Sequence, residues 1–365
     1  MKKKNIFDFQ PDFVRRRTRQ IRIGDVDLGG NAPIVVQSMT KTDTRDVRNT
    51  VLQTKRLVEA GCKIVRVAVP DSESVKTIKE IKKKIKVPLI ADIHFDYRLA
   101  LASLKAGVDG LRINPGNIGS KLKVREVVKA AREKAIPIRI GVNSGSLEKD
   151  LLRKYHGATP EAMKESALRH VRILEDSGFD FIKISVKSSD VLRTLRAYQL
   201  LSEEVDYPFH AGISEAGGII SGTVKSTAGL ALLLSQGLAD TIRVSLTAPP
   251  EEEVRVGYLI LSSLGLYSRG VNFISCPVCG RCEVDMAKIS AEIEQHLSSI
   301  KESLDVAVMG CMVNGPGEAK EADIGVACGR GKGVIFKKGK LYSRLEEQEI
   351  VSEFVKEVRL LAKGK

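Results

Sequence analysis

Residues 64–93 read IVRVAVPDSESVKTIKEIKKKIKVPLIADI. Two short β-branched runs, IVRVAV (64–69) and LIADI (89–93), flank a stretch, KTIKEIKKKIK (76–86), whose apolar residues recur at helical spacing. Strands spaced by helices in this way form right-handed βαβ units with parallel strands. The same rhythm begins at residue 34. It continues through IVVQSM (34–39), GLRINP (110–115), IRIGVN (138–143), FIKISVK (181–187), PFHAGIS (208–214) and TIRVSL (241–246). Amphipathic stretches such as TVLQTKRLVEAG and VREVVKAAREK lie between them. Eight such strands predict a closed (β/α)8 TIM barrel. An open doubly wound sheet is the alternative, but no GxGxxG opens the first unit, which weighs against a dinucleotide site. The segment RTRQIRIGDVDLGGNAP (17–33) reads as a hairpin placed to plug the barrel floor.

Near residue 268 the rhythm stops. SRGVNFIS leads into CPVCGRC (276–282), a helical stretch follows at 285–301, and then a strand, DVAVMG (305–310). DIGVAC (323–328) and GVIFKKGKLYSR (333–344) read as two strands paired around a turn, and a terminal helix spans 346–362. The chain thus divides into a barrel domain, 1–268, and a smaller α+β domain, 269–365.

The bulk chemistry is that of a globular enzyme. Hydrophobic residues make up 43% and charged residues 28% of 365, enough to bury a large core. No apolar run reaches the roughly 18–20 residues of a transmembrane helix. The start, MKKKNIFDFQPDFVRRRTRQ, is basic but has no apolar core of the kind a secretory signal needs. These features predict a cytoplasmic protein without a membrane partner. The net charge of +14 favours anionic partners. Much of it lies in runs such as 76–86, which read as solvated helix faces. Aromatics are only 5% and are not interleaved with the basic residues, so the charge does not by itself mark a nucleic-acid binder.

The strands carry polar residues where buried parallel strands should be apolar. Arg66 interrupts the second, and Asp92 and His94 end the third. Arg112 and Asn114 share a face of the fourth, and Arg139 and Asn143 a face of the fifth. Lys183, Ser185 and Lys187 share a face of the sixth. Ser214 and Glu215 end the seventh, and Arg243 and Ser245 share a face of the eighth. Any one of these would pass as an ion pair or a side chain reaching for water. Together they converge on the carboxyl-terminal mouth, where barrel active sites lie. So many unpartnered cations would be costly to bury. A bound polyanion explains them, since arginine forks match phosphate oxygens. The loop EAGGIISG (215–222) follows the seventh strand, a frequent phosphate site of barrels. Glu215 and His94 are the candidate proton donors or acceptors at the rim.

Six cysteines are present, three of them within 276–282. CxxC spacing is strong evidence for a metal and weak evidence for which one. A zinc site would draw four ligands from Cys276, Cys279, Cys282, Cys311 and Cys328. A Cys276–Cys279 redox pair lacks the thioredoxin-like βαβ setting. An iron–sulfur cluster would take the C-x2-C-x2-C start and one distant ligand. Spacing alone favours Cys282 as the third thiol. Cys311 ends a strand, NGPG (314–317) reads as a turn, and Glu318 beyond it reads as solvated. Cys62 reads as a small core residue.

CPVCGR (276–281), GCMVNGPGE (310–318), LRINPGNIG (111–119), IRIGVNSGS (138–146) and GISEAGG (212–218) together resemble the 4-hydroxy-3-methylbut-2-enyl diphosphate synthase family. The resemblance covers essentially the whole chain and is to the short bacterial type, a barrel followed by a cluster domain. It implies a [4Fe–4S] cluster on Cys276, Cys279, Cys311 and the carboxylate of Glu318. A carboxylate is a harder, weaker iron ligand than a thiolate, so it can leave and open one iron. The resemblance also implies reductive ring opening of 2-C-methyl-D-erythritol 2,4-cyclodiphosphate. Arg66, Arg112, Arg139, Lys187 and Ser245 would hold the diphosphate, Asn143 and His94 would position it, and Glu215 would be the acid. Electrons would come from flavodoxin or ferredoxin, and in a homodimer each cluster domain would cap the partner's barrel. Two rivals stand beside this reading. One is a basic nucleic-acid-binding protein with a structural zinc site. The other is a radical barrel enzyme using S-adenosylmethionine, which would want a CxxxCxxC near the first strand that this chain lacks.

Overall fold

The computed structural model describes residues 14–364, except 115–117, 119, 269, 283, 312 and 314. The end of the fourth predicted strand at Pro115 and the first residue of NGPG lie outside the described residues. The chain divides into two compact units between Leu264 and Gly265, slightly upstream of the point where the βα rhythm stops.

The first unit opens with the hairpin β1 (Ile21–Ile23) and β2 (Val26–Leu28). Eight parallel strands follow: β3 (Val35–Met39), β4 (Ile64–Ala68), β5 (Leu89–Asp92), β6 (Gly110–Ile113), β7 (Ile138–Asn143), β8 (Ile182–Lys187), β9 (His210–Ala211) and β10 (Thr241–Ile242). Nine helices lie among them: α1 (Val47–Glu59), α2 (Ser72–Lys84), α3 (Tyr97–Ala106), α4 (Lys121–Glu133), α5 (Lys149–Lys154), α6 (Pro160–Glu175), α7 (Val191–Ser202), α8 (Ile219–Ser235) and α9 (Pro250–Ser263). The strand order is β8-β7-β6-β5-β4-β3-β10-β9, and a bridge between Ile184 and Phe209 closes β8 onto the start of β9. The result is the predicted barrel rather than an open sheet.

Local chemistry explains the punctuation. Asp46, Asp71, Asp96 and Asp190 accept backbone N–H bonds at the starts of α1, α2, α3 and α7, as N-caps do. Ser74 completes a capping box with Asp71. The floor hairpin buries Ile21, Ile23 and Leu28 against Val35, Ile64 and Ile90 at the beginnings of their strands. The preceding residues strap the seam beside β9. Arg15 pairs with Asp240 at 2.8 Å, Arg16 donates to the carbonyls of Val205 and Tyr207, and its guanidinium lies 3.9 Å over the Phe209 ring. The seventh and eighth strands pair over only two residues each, shorter than their β-branched runs predict. A Cβ added at Gly212, just past β9, would collide with the Arg243 carbonyl oxygen, so the close approach of the two segments there requires glycine.

The second unit is a five-stranded sheet. β11 (Val271–Ser275), β12 (Leu304–Met309) and β13 (Ile324–Gly329) are parallel, and β14 (Lys332–Lys337) and β15 (Lys340–Glu346) add antiparallel. The stretch 333–344 is therefore two strands, not one. Lys338 and Gly339 form its turn with φ of 46° and 78°, the left-handed pair that a tight hairpin requires. Helices α10 (Met286–Leu297) and α12 (Ile350–Lys363) cover one core, with Ile293, Val306, Val326 and Phe354 fully buried. Helix α11 (Gly315–Glu321) covers the other, against Ala307, Met309 and Phe336. NGPG thus opens a helix instead of making a bare turn. Pro316 sits in the first turn, where its missing N–H costs nothing. Glu318 consequently lies on that helix.

Candidate active site and cysteine edge

Period-two alternation sends every second side chain of a strand into the barrel. At the carboxyl-terminal mouth these side chains enclose a cavity of about 300 Å³. Arg66, His94, Arg112, Arg139, Asn143, Lys187, Glu215 and Ser245 all line it, joined by Asp92, Ser185, Ser214 and Arg243. Five cations thus face two carboxylates. Lys183 is not among them. It lies deeper, 1% exposed, with its Nζ 3.5 Å from Gln37 Oε1. Among the described residues of the glycine-rich loop 215–222 only Glu215 lines the cavity, beside Ser214 just before it. The Gly217 carbonyl accepts from the Thr247 N–H at 2.9 Å.

Asp92 is the internal counter-charge. Its Oδ2 is 3.4 Å from Arg66 Nε, and its Oδ1 is 3.1 Å from Arg112 Nη1 and 3.5 Å from His94 Nε2. Burial alone would raise its pKa. Arg66, the His94 hydrogen bond, Arg112 and Arg139 overcome burial and hold it well below the usual carboxylate range. Arg112 also donates to the Gly141 carbonyl at 3.3 Å, and a side chain at 141 would collide with its guanidinium. The glycine is therefore a clearance for the arginine.

One carboxylate does not satisfy the rest. Arg66 turns Nε and Nη2 toward the Met39 sulfur at 3.1 and 3.0 Å, a weak acceptor. Burial, with Arg243 and Arg112 adding to it against Asp92, pushes Arg66 down to about 10. Arg139 is 3% exposed, and its Nε and Nη1 have no hydrogen-bond partner. Burial, then repulsion from Arg66 and Arg112, drives its pKa far down. Lys187 is lowered in the same way, by burial and then by Arg139 and Arg243. Buried donors are almost always satisfied, so the orphaned Arg139 nitrogens are aimed at something the protein does not itself supply. Glu215 stands exposed at the rim with φ of 53°, a left-handed backbone that non-glycine residues adopt at a cost.

The cysteines occupy one edge of the second sheet. β11 and β12 pair in register, Ser275 opposite Val308, and the Cys276 N–H donates to the Val308 carbonyl at 3.0 Å. Cys276 and Cys311 therefore leave the sheet at the carboxyl ends of neighbouring strands. Cys279 is exposed in the loop between β11 and α10, and Glu318 is exposed on α11. Among the described residues no three Cys, His, Asp or Glu converge on one point as a single metal ion requires. A four-iron cluster takes one ligand per iron, so its donors surround a volume rather than a point. Cys276, Cys279, Cys311 and Glu318 are of donor types that such a cluster takes. Cys282 and Cys328 are differently used. Cys282 donates to the Val284 carbonyl at 3.3 Å and packs against the α10–α12 core, which contains Cys328. Burial pushes the Cys328 thiol up to about 12, and Cys62 likewise to about 12, as inert core thiols behave.

Asp92, named from the sequence only as the end of the third strand, contacts Arg66, Arg112 and His94 in the cavity. Glu253 was missed altogether: PPEEEVRVG (249–257) reads as an acidic, solvated first turn, yet Glu253 is 2% exposed.

The fold and the cavity define the class first: a (β/α)8 barrel enzyme with a cation-lined mouth and an appended cysteine-bearing unit. Residues 18–258 match the family model of the GcpE TIM-barrel domain, and residues 272–360 that of the GcpE protein C-terminal domain. The 4-hydroxy-3-methylbut-2-en-1-yl diphosphate synthase (flavodoxin) of Caldanaerobacter subterraneus subsp. tengcongensis is 58% identical over 350 residues, covering 96% of this chain and 99% of that one. The protein of the same name from Thermodesulfovibrio yellowstonii is 56% identical, covering 94% and 99%. The chain belongs to the 4-hydroxy-3-methylbut-2-en-1-yl diphosphate synthase family. A solved dihydropteroate synthase from Stenotrophomonas maltophilia superposes with a TM-score of 0.50 at 15% identity, over 68% of this chain and 97% of that one. It shares the barrel fold alone. Nothing in these comparisons supports a nucleic-acid-binding reading. Among the described residues no helix is long and apolar enough to cross a membrane.

Crowded buried cations cost stability that an apolar side chain would recover. Arg139→Met is expected to stabilise the ligand-free protein by about 1–4 kcal/mol, seen as a higher melting temperature. It is also expected to abolish the upward shift that pyrophosphate gives the wild type. A lower melting temperature with the pyrophosphate shift intact would contradict both points. The depressed Lys187 ammonium sets a pH dependence. As pH rises through its lowered pKa the cavity loses a positive charge, so anion affinity declines earlier than an ordinary lysine would allow. Calorimetry of pyrophosphate binding from neutral to alkaline pH should show a steeper decline for wild type than for Lys187→Arg; parallel curves would refute this.

Proposed function

We propose that this chain catalyses the reductive ring opening and dehydration of 2-C-methyl-D-erythritol 2,4-cyclodiphosphate to (E)-4-hydroxy-3-methylbut-2-enyl diphosphate, in the methylerythritol phosphate pathway of isoprenoid biosynthesis. The observation that carries the reading is the mouth cavity, with five cations, one buried carboxylate and orphaned arginine donors. Such a lining suits a compact, doubly charged anion. Two electrons and two protons enter, the carbon–oxygen bond closing the ring onto the diphosphate breaks, and one hydroxyl leaves as water.

Arg66, Arg112, Arg139, Lys187 and Ser245 hold the diphosphate. The arginines offer forks to its oxygens, and the anion relieves their mutual repulsion. Asn143 and His94 position it at the rim. Glu215, on a strained rim backbone and close to bulk water, protonates the departing oxygen. Cys276, Cys279, Cys311 and Glu318 would hold a [4Fe–4S] cluster. When bound, it supplies electrons singly and a Lewis-acidic iron. The names of the relatives support flavodoxin as the electron donor, with ferredoxin the alternative. Carriers of that type are acidic, and the +14 charge of this chain favours their approach. A cytoplasmic setting keeps the six free thiols reduced. We place the working unit in a homodimer, each cluster domain serving its partner's barrel.

Protein purified without oxygen should carry about four irons and four sulfides per chain, with broad brown absorption. It should convert the cyclic diphosphate when given reduced flavodoxin. Stoichiometric zinc in a colourless protein would sink the reading. Mixing Arg139→Ala chains with Cys311→Ala chains should restore activity absent from either alone. Failure to restore it in proven mixed dimers would place the whole site within one chain.

A further inference from the structure

The buried carboxylate of Glu253 has no part in the mechanism above, yet it touches residues that do. It lies in the first turns of α9, 2% exposed, among groups from two other segments. Its Oε2 accepts from Ser38 Oγ at 3.2 Å and stands 3.4 Å from Arg243 Nη2. Its Oε1 stands 3.0 Å from Lys41 Nζ and accepts from the Leu246 backbone N–H at 3.1 Å. Ser38 belongs to β3, the first barrel strand, and Lys41 follows that strand. Residues 243–246 follow β10, the last. One carboxylate therefore ties the first strand to the last at the mouth. Lys41 reinforces the tie by donating to the carbonyls of Leu246, at 2.7 Å, and Ala248.

The tied segment carries Arg243 and Ser245, both of which line the cavity. Arg243 Nε has no hydrogen-bond partner, so Glu253 is what orients this guanidinium. A buried carboxylate is worth its desolvation only where its geometry is held. Here the hold comes from both chain ends of the barrel. An acidic residue early in a helix is ordinarily a solvated partner of the helix dipole. Burial and four specific contacts set Glu253 apart from Glu251 and Glu252, its neighbours on α9.

We propose that Glu253 is a positioning residue for the diphosphate subsite. Through Arg243 and the Leu246 amide it fixes the guanidinium and the Ser245 segment in the geometry that receives phosphate oxygens. The inference rests on the reading that the cavity takes a cyclic diphosphate.

A double-mutant cycle tests it, with Glu253→Gln, Arg243→Ala and the pair, each assayed with the cyclic diphosphate and reduced flavodoxin. Glutamine keeps the size of the side chain and removes the charge that holds Arg243. Glu253→Gln should raise KM by about tenfold, the scale of one lost charge-assisted bond, with kcat changed far less and iron content retained. In the Arg243→Ala background it should add less than about twofold. An unchanged KM, or an equal effect in both backgrounds, would overturn the proposal and reduce Glu253 to a structural clamp. Should Glu253→Gln fail to fold, Lys41→Met loosens the same tie from its exposed side, and the same cycle with Arg243→Ala applies. Calorimetry with inorganic pyrophosphate separates the two readings. If wild type binds pyrophosphate but does not turn over the cyclic diphosphate, the proposed reaction fails. The Glu253 coupling is then judged on pyrophosphate affinity, which should fall about tenfold only while Arg243 is present.

Discussion

Mutual repulsion among buried cations is the constraint on which the rest of this structure depends. Arg66, Arg112, Arg139, Lys187 and Arg243 crowd one cavity, and among the described residues Asp92 is the only buried carboxylate that lines it. Electrostatic interactions in a protein interior are several times stronger than in water, so the arrangement is poorly stable empty and well suited to an anion of matching charge. Binding energy is thereby stored in the fold. In this structure the five cations already share one cavity, as a preformed anion site would require.

A barrel can hold such a cluster because its parallel strands are locked by backbone ladders that do not depend on the interior side chains. Around the mouth, every cation but Arg139 also has a local contact or clearance that keeps it in place. Gly141 leaves room for the Arg112 guanidinium, and an added Cβ at Gly212 would lie 2.7 Å from Lys187 Nζ. Asp92 sets the two arginines beside it, while Glu253 sets Arg243 from outside the cavity. The carboxylates are thus divided between one that faces the ligand space and one that works behind it. Moving Glu253 into the cavity would cancel charge the anion needs; removing it would leave Arg243 loose.

Much of this was legible in the sequence, for a physical reason. Period-two alternation in a parallel strand makes a polar residue conspicuous, so Arg66, Arg112, Arg139 and Lys187 stood out and proved to share one cavity. Depth along the strand was not legible. Lys183 shares a face with Lys187 yet lies a layer lower against Gln37, because alternation specifies a face and says nothing about height above the barrel floor. Glu253 was hidden for a different reason. Its contacts are with Ser38, 215 positions earlier, with Arg243, ten positions earlier, and with the Leu246 amide, none of which leaves a local pattern. The turn Lys338–Gly339 was missed because a lysine rarely signals a left-handed φ, and only the glycine beside it hinted at the hairpin.

The second unit shows why spacing misleads where register decides. CPVCGRC offers three thiols at equal intervals, and nothing in those intervals prefers Cys279 to Cys282. The fold does distinguish them. The loop after β11 sends Cys282 back under α10, where its thiol donates to the Val284 carbonyl and packs beside the core that buries Cys328. Cys279 stays outside. Cys276 and Cys311, 35 positions apart in sequence, become neighbours because β11 and β12 run parallel and in register. β12 ends at Met309, and Gly315 and Pro316 open α11, which presents Glu318 in its first turn. Glu318 thus sits on a helix packed closely on the sheet, Ala319 against Gly325, so its place is set by the same core that sets β12 and β13.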